Sequence, residues 1–110
     1  MKLPFAEQAI IPEAKLRDYL VSTNHPIGRH KSVFFAALGY NAGNWPQLEA
    51  DLRSQHLKSD AELGERTEYG QKYLIRSPLI GPNGRQANVL SVWMVRDEEQ
   101  VPRFVSAMPA

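Results

Sequence analysis

Gly81-Pro82-Asn83-Gly84 divides two strand-like runs and leaves them one economical way to pair. Proline presets the second position of a tight turn, asparagine tolerates the third, and glycine accepts the positive φ of a bulge. The flanking runs, Tyr73-Leu74-Ile75 before the turn and Val89 to Val95 after it, carry the β-branched and aromatic residues that favour strands. An antiparallel hairpin follows. Its expected register sets Tyr73 opposite Trp93 and Ile75 opposite Ser91, with Arg85 on the same face. A charged turn at Asp97-Glu98-Glu99-Gln100 leads into a last strand over Arg103 to Met108, with Pro102 only at its start.

The half before Asp60 has a different period. Leu16, Tyr19 and Leu20 follow Pro12 at i, i+3, i+4 spacing, and Ser22-Thr23-Asn24 closes that helix. A second helix is predicted from Pro26 to Leu38, with Ile27, Phe34, Phe35 and Leu38 on its apolar face and Gly39 as its stop. A third begins near Trp45-Pro46 and carries Leu48 and Leu52 toward Leu57. Helices first and strands afterwards give an α+β fold, with about three helices packed on a C-terminal antiparallel sheet of three to four strands. At 110 residues the chain makes one domain, residues 1–110, with a single core.

Composition narrows the chemistry. There is no cysteine, which excludes a disulfide framework, a thiolate metal site and a cysteine nucleophile. No segment approaches the roughly 18–20 apolar residues of a membrane span, and the first residues do not form a signal peptide, so no membrane role and a cytoplasmic address are expected. The net charge is only +1, but it is unevenly spread. No acid lies between Asp18 and Glu49, a window holding His25, Arg29, His30 and Lys31. None lies between Glu68 and Asp97, which holds Lys72, Arg76, Arg85 and Arg96. Two basic windows of this kind suit an anion if the fold brings them together.

The densest chemistry is Gly28-Arg29-His30-Lys31, an imidazole between two cations at a helix start. Free N–H groups there would welcome phosphate, and His30 could move a proton near neutral pH. A solvated basic turn on a packed helix would use the same residues. His25 and His56 are given no role by their spacing. No H-E-x-x-H or other metal-binding pattern, nucleophile elbow, P-loop or dinucleotide fingerprint is present, so neither metal nor organic cofactor is expected. Phosphodiester cleavage without a metal is the chemistry these residues leave open, with Lys72 and Arg85 free to serve the anion.

Longer motifs carry a resemblance. His25-Pro26-Ile27-Gly28-Arg29-His30-Lys31, Thr67-Glu68-Tyr69-Gly70-Gln71-Lys72-Tyr73, Gly81-Pro82-Asn83-Gly84-Arg85 and Pro102-Arg103-Phe104-Val105-Ser106-Ala107 are similar to a small bacterial family of unknown function. Its members occur free-standing and at the C-termini of phage minor head proteins and polymorphic toxins. The order of helices and sheet also resembles the fold shared by barnase, colicin D and RelE-like ribonuclease toxins.

The resemblance implies a metal-independent endoribonuclease toxin of a toxin–antitoxin or polymorphic-toxin-related system. Its partners would be RNA, such as tRNA or mRNA, and a cognate antitoxin or immunity protein. The catalytic residues would be His30, Lys31 and Arg85. His30 would act as base or acid on the ribose 2′-hydroxyl or the leaving oxygen, and Lys31 and Arg85 would hold the phosphate. Arg29, Lys72, Arg103 and Ser106 would bind substrate. The alternative is a non-catalytic immunity, partner-docking or phage-head-related module. The chain departs from the family at Ser91, where threonine is usual, and at Met108, where tyrosine is usual. Serine keeps the hydroxyl; methionine does not, which would weaken any chemistry that needs it.

Overall fold

The computed structural model describes residues 1–110 and shows three helices followed by a four-stranded antiparallel sheet. Helix α1 is short, Glu13–Lys15, and widens at once into a π-helical turn over Leu16–Leu20, where the Val21 N–H reaches the Leu16 carbonyl at 3.1 Å. Helix α2 spans Gly28–Ala36 and α3 spans Trp45–Ser54. A turn of 3-10 helix, His56–Lys58, leads from α3 toward the sheet.

The strands are β1 (Glu62–Thr67), β2 (Gly70–Ile80), β3 (Gln86–Arg96) and β4 (Arg103–Pro109), lying side by side in chain order. The central hairpin pairs Tyr73 with Trp93 and Ile75 with Ser91, the register set by the Gly81–Gly84 turn. Gly84 takes the positive φ, 85°, that the turn demands. Arg85 lies in the turn itself, ahead of β3, so it belongs to neither face of the ladder.

Leu16, Leu20, Phe35, Leu48, Leu52, Ile75, Leu79, Val89, Trp93 and Ala107 are fully buried and join helices to sheet. Tyr40 is buried with them, and its hydroxyl donates to Asp51 at 2.5 Å. Burial and that carboxylate both hold the phenol well above its usual pKa, fixing it as a neutral donor. Tyr40→Phe is expected to lower stability by about 1–2 kcal/mol, read as a shift of the urea midpoint without a change in slope.

Three expectations for α2 need correction. The helix starts at Gly28 rather than Pro26, and Ile27 is 62% exposed instead of core-facing. The helix also ends at Ala36, two residues short of Leu38; Phe35 from the helix and Leu38 from the turn after it enter the core, with Phe34 half-buried beside them. The first strand, β1, carries no strong sequence signal because it is an edge strand rich in Glu, Arg and Gly with an exposed surface. It pairs only with Gly70 to Leu74 of β2.

The rest of β2 therefore extends beyond its neighbour, and side chains following α3 meet its backbone. Gln55 accepts from the Ile80 N–H at 2.8 Å and donates to the Ile80 carbonyl at 3.1 Å, while His56 donates to the Ser77 carbonyl at 3.0 Å. An open strand edge is thus closed by a helix end. Pro78, which has no N–H to offer, falls within this uncovered stretch.

Candidate functional site

The polar cluster that the fold assembles lies where the π turn, α2 and edge strand β4 meet. Lys31 Nζ donates to the Tyr19 hydroxyl and to Ser106 Oγ, both at 2.8 Å. The same ammonium lies 5.0 Å from the centre of the Tyr19 ring, and Lys15 Nζ lies 5.9 Å from it. Lys31 is half-buried and forms no ion pair. Its charge is solvated by two neutral hydroxyls instead. The ammonium bonded to the phenol oxygen pulls the Tyr19 pKa below its usual 10.0, with Ser106 and the charge of Lys15 adding to the effect against partial desolvation.

This close approach depends on Gly28. A Cβ there would lie 1.9 Å from the Tyr19 carbonyl oxygen and 2.6 Å from its carbon, so only glycine lets α2 start against the π turn. His25 completes the junction. Its Nδ1 accepts from the Ile27 and Gly28 N–H groups, each at 3.0 Å, and its ring meets Tyr19 edge-on with centroids 4.9 Å apart. The Arg29 and His30 N–H groups are also taken, by the His25 and Ile27 carbonyls. The helix start predicted to offer free donors to phosphate has instead spent them on its own loop.

The predicted site residues separate into groups. Lys31 and Ser106 meet. His30 and Arg29 are exposed on α2, and their side chains form no hydrogen bond or ion pair within the protein. Lys72 and Arg103 pair with Met94 from opposite sides, so the three share one row across the sheet. Each has an acidic neighbour: Lys72 lies 4.0 Å from Glu65, and Arg103 makes two bonds to Glu99 at 2.8 and 2.9 Å.

Arg85 stands apart. Its turn packs on the far end of α2, where Asn83 Nδ2 donates to the Ala37 carbonyl. Along β3 it lies seven residues from Val92, the partner of Ser106, which is roughly 23 Å of strand. The expected grouping of Arg85 with Lys31 and Ser106 is therefore corrected by topology, because the hairpin's tip and its open end point opposite ways.

His56 and Ser91 form a second polar centre, in the core. Trp93 Nε1–H donates to Ser91 Oγ at 2.9 Å, and Ser91 donates to His56 Nδ1 at 2.8 Å. His56 Nε2–H then bonds the Ser77 carbonyl, which fixes one neutral tautomer. Burial pushes the His56 pKa down from 6.5. The network is closed off from solvent and fully bonded, so it holds the sheet to α3 and has no free group for substrate. This is also where the Ser91 hydroxyl is used.

No cluster of three or more His, Asp or Glu side chains is arranged to hold a metal ion. No helix is long and apolar enough to cross a membrane. Tyr19 and His25 escaped sequence reasoning because the spacing of Tyr19 reads as core packing and His25, ahead of Pro26, reads as an ordinary residue at a helix start. The one available signal was Gly28, because a residue without a Cβ permits a close backbone neighbour.

A family model described as a domain of unknown function, DUF6883, matches residues 2–110. The chain belongs to the DUF6883 family. No curated protein matches this DUF6883 chain. Among solved structures, a contact-dependent growth inhibition toxin–immunity protein complex from Klebsiella pneumoniae 342 contains a chain of similar fold. The two superpose with a TM-score of 0.66 at 18% identity, covering 92% of the DUF6883 chain and 99% of the other. That likeness is one of fold.

Proposed function

We propose that this DUF6883 chain is a small ribonuclease of the toxin class, cleaving RNA through the ribose 2′-hydroxyl at the Lys31–Tyr19–Ser106 cluster. The observation that carries the reading is Lys31, a half-buried ammonium with no carboxylate, held by two hydroxyls beside an acid-free helix. A phosphate would supply the charge that this cluster lacks. The fold likeness to a chain of a toxin–immunity complex supports a role in a system of that kind.

In the proposed reaction the 2′-oxygen forms a bond to phosphorus while the bond from phosphorus to the 5′-oxygen breaks, leaving a 2′,3′-cyclic phosphate and a 5′-hydroxyl. Tyr19, its pKa lowered by Lys31, takes the 2′-hydroxyl proton; Lys31 and Ser106 hold the phosphate as charge builds on it. His30, free of other bonds, gives a proton to the leaving oxygen. Arg29 lies next to it on α2 and neutralises a neighbouring phosphate.

A second reading has its own support. Ile27, just before α2, and Val33 on it are 62% and 72% exposed, with Arg29 and His30 between them and no acid, a surface suited to an acidic protein partner. On that reading the chain is an immunity or docking module.

Induced expression at matched levels separates the two. Growth arrest with RNA cleavage is expected from the intact chain, falling about 10²-fold in cleavage rate for Lys31→Met. The pH–rate profile should rise toward a limb below pH 10 that Tyr19→Phe removes. Unimpeded growth, intact RNA and equal behaviour of Lys31→Met would favour the docking module.

A further inference from the structure

Beside the cluster runs a groove of about 480 Å³, lined by Pro12, Lys15, Tyr69, Met94, Arg96 and Arg103 with Phe104 and Val105. We infer that this groove is a single-stranded RNA subsite, in which a base stacks on Tyr69 and the backbone phosphates lie along Lys15, Arg96 and Arg103. The inference rests on the ribonuclease reading and names where the strand flanking the cleaved phosphate is held.

Four features of the groove point to this ligand. Its size falls within the ~300–1,000 Å³ of clefts that take nucleotide-sized molecules. Tyr69 is 70% exposed, yet its backbone is fixed: its N–H donates to Thr67 Oγ1 at 3.1 Å, and its carbonyl accepts from the Asp97 N–H at 3.2 Å. An aromatic ring held out on a rigid turn is a stacking platform that every base can use. The floor is apolar, from Pro12, Met94, Phe104 and Val105, so a base lying on it leaves water.

The charges set the direction of the strand. Three cations line the groove and no carboxylate does: Glu99, outside it, bonds Arg103 and lies 3.9 Å from Arg96, while Lys15 forms no ion pair. On the other side of Tyr69 and Arg96 lies a hollow lined by Glu68, Asp97, Glu98 and Glu99, which repels phosphate. The favourable path therefore leads from Tyr69 past Arg96 and Arg103 to Lys15, whose ammonium stands over Tyr19. Along β4 the same path passes from Arg103 through Val105 to Ser106. Lys15, over Tyr19, and Val105, next to Ser106, thus join the groove to the cluster, so that one strand would reach both.

The test uses the full chain and a fluorescein-labelled 2′-O-methyl RNA hexamer, which binds but cannot be cleaved. Micromolar binding is expected at low salt, weakened about tenfold or more by Tyr69→Ala. Arg96→Ala should lower the salt dependence of log Kd by about one ion. Tyr69→Trp should bind at least as well as the intact chain, with its fluorescence quenched on binding. Since Tyr69 is exposed, none of these changes threatens folding. Cleavage of ordinary RNA with unaltered hexamer binding by Tyr69→Ala overturns the subsite and leaves the ribonuclease reading intact. Tyr69-dependent hexamer binding without any cleavage upholds the subsite and overturns the enzyme. Absence of hexamer binding and of cleavage, with binding of an acidic protein instead, overturns both.

Discussion

Gly28→Ala is expected to destabilise the protein by about 3 kcal/mol or more and to abolish the activity proposed for the cluster. The added methyl would meet backbone, the Tyr19 carbonyl at 1.9 Å, and backbone in a π turn anchored by fully buried Leu16 and Leu20 cannot step aside. Helix α2 must move instead. That motion parts Lys31 from both hydroxyls at once, since its two bonds reach elements separated by 12 and 75 residues of chain. The expected readout is a melting midpoint lowered by more than about 10 °C, with loss of the proposed RNA cleavage at temperatures where the variant is still folded. A Gly28→Ala protein with unchanged melting would show that α2 and the π turn are not in contact.

His56→Ala should be comparably severe, about 3–5 kcal/mol, because it opens a cavity in the core and orphans the Ser77 carbonyl and the Ser91 hydroxyl together. His56 also gives the protein a pH dependence of defined sign. Its folded pKa lies below the unfolded value near 6.5, so the unfolded chain binds the proton more readily. The stabilisation is complete above pH 6.5 and is lost as the pH falls from there toward the folded pKa, at up to about 1.4 kcal/mol per pH unit. Denaturant midpoints between pH 7.5 and 5.5 should fall in the parent protein, and His56→Gln should flatten that slope. A parent protein equally stable across the range would contradict a neutral buried His56.

The fold was legible where chemistry is local. The Gly81–Gly84 turn determined the hairpin register to the residue, and the helical spacing of Leu48 and Leu52 located α3. β1 was hard to see because an exposed edge strand needs no alternation of apolar residues. The candidate cluster was only half visible. Lys31 and Ser106 could be named from their motifs, but their meeting depends on how α2 docks, and docking is decided by Gly28 and by a π turn that has no sequence code. Arg85 looked like part of the site because it sits in a motif of its own, yet that motif builds a turn against the C-terminal end of α2.

The 75 residues between Lys31 and Ser106 bear on when, on the proposed reading, the chain gains its activity during synthesis. The hairpin, whose partners are near in sequence, can form early, whereas the bond from α2 to β4 closes a long loop and comes late. A ribosome that has translated all three helices and the hairpin holds a chain whose ammonium still lacks one of its two hydroxyls. Synthesis therefore carries its own delay: the cluster is completed only after β4 has emerged and docked. That interval is one in which a partner able to seize α2, already formed and exposing Val33 with Ile27 just ahead of it, would reach the protein before the cluster is assembled.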